Sequence, residues 1–280
     1  MLRQRVLTAL VLVALLLPTL FLQSPLPFAL LALVFCAVGM GEWARLAGLR
    51  TRSALLVWTL AWLATAGGLL WLLQRQGWQM AEQWGGFWAV CSLAWLLLLA
   101  SSLPSARVPA VLRSPIVLAL LGFALLQAAW LALVALRAQG AVFMMSLLAL
   151  VWIADIAAYF GGRAWGRAKL APAISPGKTR AGAWTALAAT LCYAAVCVGL
   201  TSRYPNYFSQ LSAQFGWPGL AVLVVVLLIF AIAGDLFESL LKRAAGVKDS
   251  GRLLPGHGGV LDRIDALLPV LPLAVLLLAL

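Results

Sequence analysis

Apolar runs long enough to cross the ~30 Å hydrocarbon core of a bilayer, roughly 20 residues as a helix, recur from one end of this chain to the other. Nine are expected, at residues 6–22, 26–40, 54–73, 87–103, 115–136, 141–160, 183–201, 219–234 and 266–280. Hydrocarbon offers no partner to a backbone N–H or C=O, and a continuous α-helix pairs both within one segment. The sequence therefore predicts an all-α, polytopic integral membrane protein with about nine transmembrane helices. A hydrophobic share of 64% against 10% charged residues excludes an ordinary water-soluble globule. The eighth run is short for a span, but nothing breaks the helix through "GDLFESLLKR" until Gly246, so it is expected to run on beyond the bilayer.

The net charge of +12 does not mark a nucleic-acid binder, because the basic residues are scattered over short loops and form no single face with aromatic platforms. Topology accounts for them. With the amino terminus in the cytoplasm, every one of the 20 Lys and Arg residues except Arg75, Arg137 and Arg203 falls on the cytoplasmic side. Met1 to Arg5 and the run after it imitate a signal peptide but lack a small-x-small cleavage site, and are read as an uncleaved anchor. Cys36, Cys91, Cys192 and Cys197 all fall within expected spans without C-x-x-C spacing or a neighbouring histidine, which makes them packing residues. The expected location is a bacterial-type inner (cytoplasmic) membrane, with the polar site facing the cytoplasm.

Only eight carboxylates exist, and Asp235, Glu238, Asp249, Asp262 and Asp265 fall within 31 residues of one another on that side. Asp235, Ser239 and Lys242 follow at i, i+4 and i+7, so one helix face leaving the membrane carries a carboxylate, a hydroxyl and an ammonium. A solvated amphipathic helix has the same pattern, but lysine or arginine is the ordinary anchor where Asp235 stands. The loop "GVKDSGRLLPGHGG" then leads to "VLDRIDA", which places Asp262 and Asp265 on one face. Carboxylates gathered from two helix ends suit a hard divalent cation such as Mg²⁺, which takes oxygen ligands and leaves room for substrate phosphates. A structural ion-pair cluster has the same composition, since Lys242, Arg243, Lys248, Arg252 and Arg263 are interleaved with the acids. Gly256, Gly258 and Gly259 favour the first reading, because exposed N–H groups and close approach serve a phosphate. His257, the one histidine, has no partner for a zinc site and is read as a donor to a phosphate oxygen, or as a general acid for a leaving group.

Asp155 lies inside the span "LVWIADIAAYFGG", where an ionised carboxylate costs ~3 kcal/mol or more unless it faces protein or water. A helix–helix polar contact is one reading; a part in a site with Tyr159, at i+4, is the other. The following loop holds Arg163, Arg167, Lys169, Lys178 and Arg180, with the hydroxyls of Ser175 and Thr179. It suits an anionic phosphate near the membrane surface. Gly177-Lys178-Thr179 is no phosphate-binding P-loop, since Pro172 stands where the glycine is needed and no strand of a buried sheet precedes it. "SLLK", residues 239–242, matches the S-x-x-K of penicillin-binding enzymes without their companion motifs.

"SLLKRAAGVKDSGRLLPGHGGVLDRID", residues 239–265, resembles the signature of the CTP:phosphatidate cytidylyltransferase (CDP-diacylglycerol synthase) family. The match holds at Ser239, Lys242, Arg243, Lys248, Asp249, Pro255, His257, Gly258, Gly259, Asp262, Arg263 and Asp265. "DIAAYFGGRAWGRAKLAPAISPGKT", residues 155–179, is similar to a second block of that family, departing only where Gly177, Arg180 and Ala181 surround Lys178-Thr179. The resemblance implies transfer of CMP from CTP to phosphatidate with release of pyrophosphate, a requirement for Mg²⁺, a membrane-lipid setting and a homodimer. It also implies that Asp235 and Asp262 are the metal-binding aspartates.

Combining the residues with the resemblance, the candidate catalytic set is Asp235, Lys242, Asp249, His257, Asp262, Arg263 and Asp265. The candidate substrate-binding set is Asp155, Tyr159, Ser175, Lys178, Thr179, Ser239, Lys248, Gly258 and Gly259. Residues 1–140 are assigned as N-terminal transmembrane helices and 141–280 as the C-terminal transmembrane catalytic region. A CTP-dependent lipid kinase would need a similar site but release CDP. A transporter, the non-enzyme alternative, would place its charges at the midplane on broken helices, which Asp155 alone partly does.

Overall fold

The computed structural model describes residues 13–254 and 258–280. Among them, seven helices are long and apolar enough to cross a membrane. They are α1 (Leu26–Leu46), α2 (Arg52–Gln76), α3 (Gly85–Ser102), α4 (Pro115–Gln139), α5 (Ala141–Trp165), α6 (Arg180–Gly199) and α7 (Tyr207–Ala244). Local signals in the sequence set their starts: Thr51 caps α2 by accepting from Ala54 N at 3.3 Å, and Pro115 opens α4. The first expected run lies partly outside the described residues; 13–21 are helical.

The ninth expected run forms an apolar helix shorter than a full span. After the single turn α8 (Leu261–Ile264), α9 (Leu267–Ala279) has 13 residues and is about 20 Å long at 1.5 Å per residue. Ten of those residues are buried, so α9 is an inner helix of the bundle that touches α3, α4 and α7. Its far end meets Gly85, at the start of α3. Its near end follows directly on Asp262 and Asp265.

The expected extension of the eighth run is present: α7 continues through Lys242 and Arg243 to Ala244, and Gly246 follows at φ +71°. At its other end α7 starts earlier than expected, at Tyr207, where Asn206 forms a capping box with Ser209. The two pieces join at Gly216, with φ 68° and ψ 178°, a conformation open essentially to glycine, two residues before Pro218.

The basic loop after α5 holds a small antiparallel hairpin, β1 (Lys169–Ala171) with β2 (Ser175–Thr179), which hydropathy gave no reason to expect. Its turn residue Ile174 is buried against Leu236 and Leu240 of α7. The strands carry the chain into α6, which packs on α5 so closely that a Cβ at Gly182 would stand 2.6 Å from the Ala158 carbonyl oxygen.

Candidate active site

The docked hairpin delivers one cation to α7: Lys178 Nζ lies 2.7 Å from Asp235 Oδ2. One turn further, Ser239 Oγ donates to Asp235 Oδ1 at 3.3 Å. Lys242 then pairs with the buried Glu238 and, at 2.6 Å, with Oδ1 of Asp262. The expected face of α7 therefore exists, and Lys242 ties it to α8. Asp262 also accepts from Ser250 N at 3.0 Å and from Gly259 N at 2.7 Å, both through Oδ2. Burial opposes its charged form, but the Lys242 ammonium and these N–H groups outweigh it and hold its carboxyl below the ordinary value. Asp265 is moved the other way: burial, and then the charge of Asp235, push it up to about 7.

A cavity of about 640 Å³ joins these groups. Asp155, Asp235, Lys242, Asp249, Asp262, Arg263 and Asp265 line its polar end. The rest of its wall is apolar and comes largely from α1, α4, α5 and α9, with Phe28, Leu31, Phe35, Leu133, Leu148, Val151 and Leu271 prominent. The helices before residue 140 thus build much of the apolar wall.

The remaining candidates are placed as follows. Tyr159 is 61% exposed, stacks edge-on against Phe160, and is not among the residues that line the cavity with Asp155. The i+4 spacing puts the two residues on neighbouring positions of one helix, but only Asp155 is turned inward. Thr179 is buried as the N-cap of α6, accepting from Gly182 N at 3.1 Å. Ser175 begins β2 and Lys248 is exposed in the loop after α7; neither lines the cavity. Gly258 and Gly259 also stand outside the lining, and the Gly259 N–H points at Asp262. His257, with Pro255 and Gly256, lies outside the described residues.

Sequence reasoning missed Glu42. This α1 residue is 1% exposed and accepts from Ser250 Oγ at 2.9 Å, Val260 N at 3.2 Å and Leu261 N at 2.8 Å. It clasps both ends of the 250–260 loop and caps the start of α8. The loop glycines make room for it: a Cβ at Gly251 would lie 2.0 Å from Glu42 Oε1, and one at Gly259 2.5 Å from Oε2. That close approach is a packing reason for glycines that sequence alone assigned to phosphate. The available signal was a lone acid in the otherwise basic and apolar "GEWARL", but its partners lie more than 200 residues away.

Fold and site together define an all-α membrane-embedded protein whose cavity is charged at one end and apolar at the other, shaped for an amphiphile with a phosphate head. Residues 3–280 match the cytidylyltransferase family model. The chain is 35% identical to a phosphatidate cytidylyltransferase of Haemophilus influenzae, over 97% of this chain and 96% of that one. It is 36% identical to one of Pseudomonas aeruginosa, over 99% and 97%. A phosphatidate cytidylyltransferase of Brucella suis is 54% identical across 121 residues, 43% of this chain. The chain belongs to the cytidylyltransferase family.

Proposed function

We propose that this chain is a nucleotidyltransferase that moves the CMP unit of CTP onto phosphatidate, forming CDP-diacylglycerol and pyrophosphate for phospholipid synthesis. One observation carries the reading: a single cavity joins the Asp235–Lys242–Asp262 cluster to an apolar wall built from the long apolar helices. A polar nucleotide and a lipid phosphate can meet there while the acyl chains stay among Leu31, Phe35 and Leu133.

The phosphate of phosphatidate is largely ionised near neutral pH. An oxygen of it attacks the α-phosphorus of CTP, a new P–O bond forms, and the bond to the bridging oxygen of pyrophosphate breaks. No protein base is needed, so catalysis consists of positioning two polyanions and neutralising the charge that grows on the leaving group. Lys178, Lys242 and Arg263 supply fixed positive charge, while Asp235 and Asp262 orient the two lysines.

Asp235 and Asp262 are the acids proposed for Mg²⁺: among the described residues no group of three or more His, Cys, Asp or Glu side chains gathers as a metal cage, and an ion that keeps water and substrate phosphates as its other ligands needs only one or two carboxylates. Lys178 and Lys242 stand 2.7 Å and 2.6 Å from Asp235 and Asp262, so each carboxylate already presents an oxygen to a cation. Asp235 and Asp262 would hold the ion, releasing the lysines toward phosphate; bound Mg²⁺ would screen the triphosphate. The site is read as facing the cytoplasm of a bacterial inner membrane, supported by the basic loops beside it. A homodimer is the assembly that the family resemblance supports, and chemical crosslinking in membranes would test it.

Purified chain given CTP labelled at the α-phosphate, with phosphatidate and Mg²⁺, should yield labelled CDP-diacylglycerol and pyrophosphate. Release of CDP with a phosphorylated lipid would instead mean a CTP-dependent kinase. No turnover by protein shown to be folded would defeat the enzymatic reading.

A further inference from the structure

A second pocket, of about 570 Å³, opens on the far side of α7 from the catalytic cavity. Lys242 lines the first cavity and Arg243 the second, so adjacent residues of one helix serve different pockets. Arg107 comes from the loop after α3, and Arg113 from the 3₁₀ turn Ala110–Arg113 before α4. Apolar side chains, including Leu46, Leu112 and Leu240, complete the wall.

All eight carboxylates of the chain are placed elsewhere. Glu42 holds the 250–260 loop, Glu82 meets Gln139, Glu238 pairs with Lys242, and the other five line the catalytic cavity. Three arginines therefore line one pocket with no carboxylate in its wall, and Arg113 Nε donates to the Val108 carbonyl oxygen at 3.4 Å. Like charges brought together this way are stabilised when an anion joins them, and the planar guanidinium fork matches a phosphate bidentately. The pocket lies where α1 ends at Leu46 and α7 ends at Ala244, so a bound group can keep its phosphate among arginines and its glycerol and acyl part against leucine.

We propose that this pocket is a second, non-catalytic site for the phosphate of an anionic phospholipid. It is independent of the reaction assigned above, since binding and not turnover is what tests it. The shared chemistry with a free phosphate ion is the guanidinium–phosphate contact; the leucine wall favours the lipid.

The full chain, purified in mild detergent, is titrated with phosphatidylglycerol, phosphatidylcholine or inorganic phosphate and retained lipid is counted by native mass spectrometry. Wild type should retain phosphatidylglycerol in preference to phosphatidylcholine, and millimolar inorganic phosphate should not displace it. Arg107→Gln/Arg113→Gln should weaken retention by about tenfold or more, whereas Arg50→Gln/Arg52→Gln, an equal loss of exposed charge on the same side, should leave it unchanged. Each single substitution should show part of the same loss, so poor folding of the double variant does not remove the test. Equal weakening in the two double variants would reduce the effect to diffuse surface charge and overturn the site. Displacement by inorganic phosphate would overturn the lipid assignment.

Discussion

Asp262 accepts from three groups at once, Lys242 Nζ, Ser250 N and Gly259 N, while Asp235 holds Lys178 and Ser239. Asn at either position keeps the shape and removes the charge. Asp235→Asn and Asp262→Asn should therefore each lower kcat by about 100-fold or more in the labelled-CTP assay, with helix content by circular dichroism unchanged. If both serve one site, the double variant should cost much less than the product of the singles. Near-normal turnover in either single would move the ion to Asp249 or Asp265. Glu42 is a positioning residue: Gln there keeps one acceptor oxygen but sets an NH₂ against either Val260 N or both Ser250 Oγ and Leu261 N, so Glu42→Gln should reduce kcat by about 10-fold or more through a misplaced loop. Glu42→Asp, which keeps both acceptors, should recover part of it. Equal activity of wild type and Glu42→Gln would show that the clasp is dispensable. The carboxylates of the site were legible in the sequence because they crowd into one short polar segment; Glu42 was not, because its value comes from contacts made across the whole chain. Tyr159 shows the converse: spacing on a helix reports which residues are neighbours, not which side faces the cavity.

Elements explain why the site is stiff at one end. The two described ends of the 250–260 loop are held by Glu42 from α1 and by Asp262 from α8, and there is no room for an added carbon at Gly259, where a Cβ would lie 2.1 Å from Ser250 Oγ. Gly259→Ala should thus abolish most turnover even though no substrate need touch position 259. A variant with wild-type kcat and KM for CTP would show that the loop can shift without consequence. The kink in α7 belongs to stability. At Gly216, φ 68° with ψ 178° is essentially closed to residues bearing a Cβ, and Gly216→Ala should cost about 1–3 kcal/mol, read as a lower thermal midpoint with kcat retained. An unchanged midpoint would mean the kink relaxes at no cost. The helical part of α7 was legible from its apolar run, but the kink was not, because glycine followed by proline reads equally well as a loop between two helices.

At the scale of the whole molecule, the orientation follows from where the charges lie. α6 is long and apolar enough to cross the bilayer between Arg180 and Arg203, so those two residues should face opposite sides, and Arg180 adjoins the hairpin that carries Lys178 to the site. Arg75, Arg137 and Arg203 are the three basic residues assigned away from the site. Of these Arg137 is a poor reporter: it is 5% exposed and donates to the Leu22 carbonyl. Arg203 is exposed, as is Arg107 beside the second pocket. In a chain whose Cys36, Cys91, Cys192 and Cys197 are replaced by Ala, Arg203→Cys should react with a membrane-impermeant maleimide added to intact cells. Arg107→Cys should react only after the cells are opened. The span count enters through parity, since each crossing exchanges the sides, and α9, at 13 residues, is shorter than a full span. Labelling of Arg203→Cys from the cytoplasmic side alone would invert the whole arrangement, placing the catalytic cavity on the face of the membrane that lacks CTP and so removing the basis for the proposed reaction.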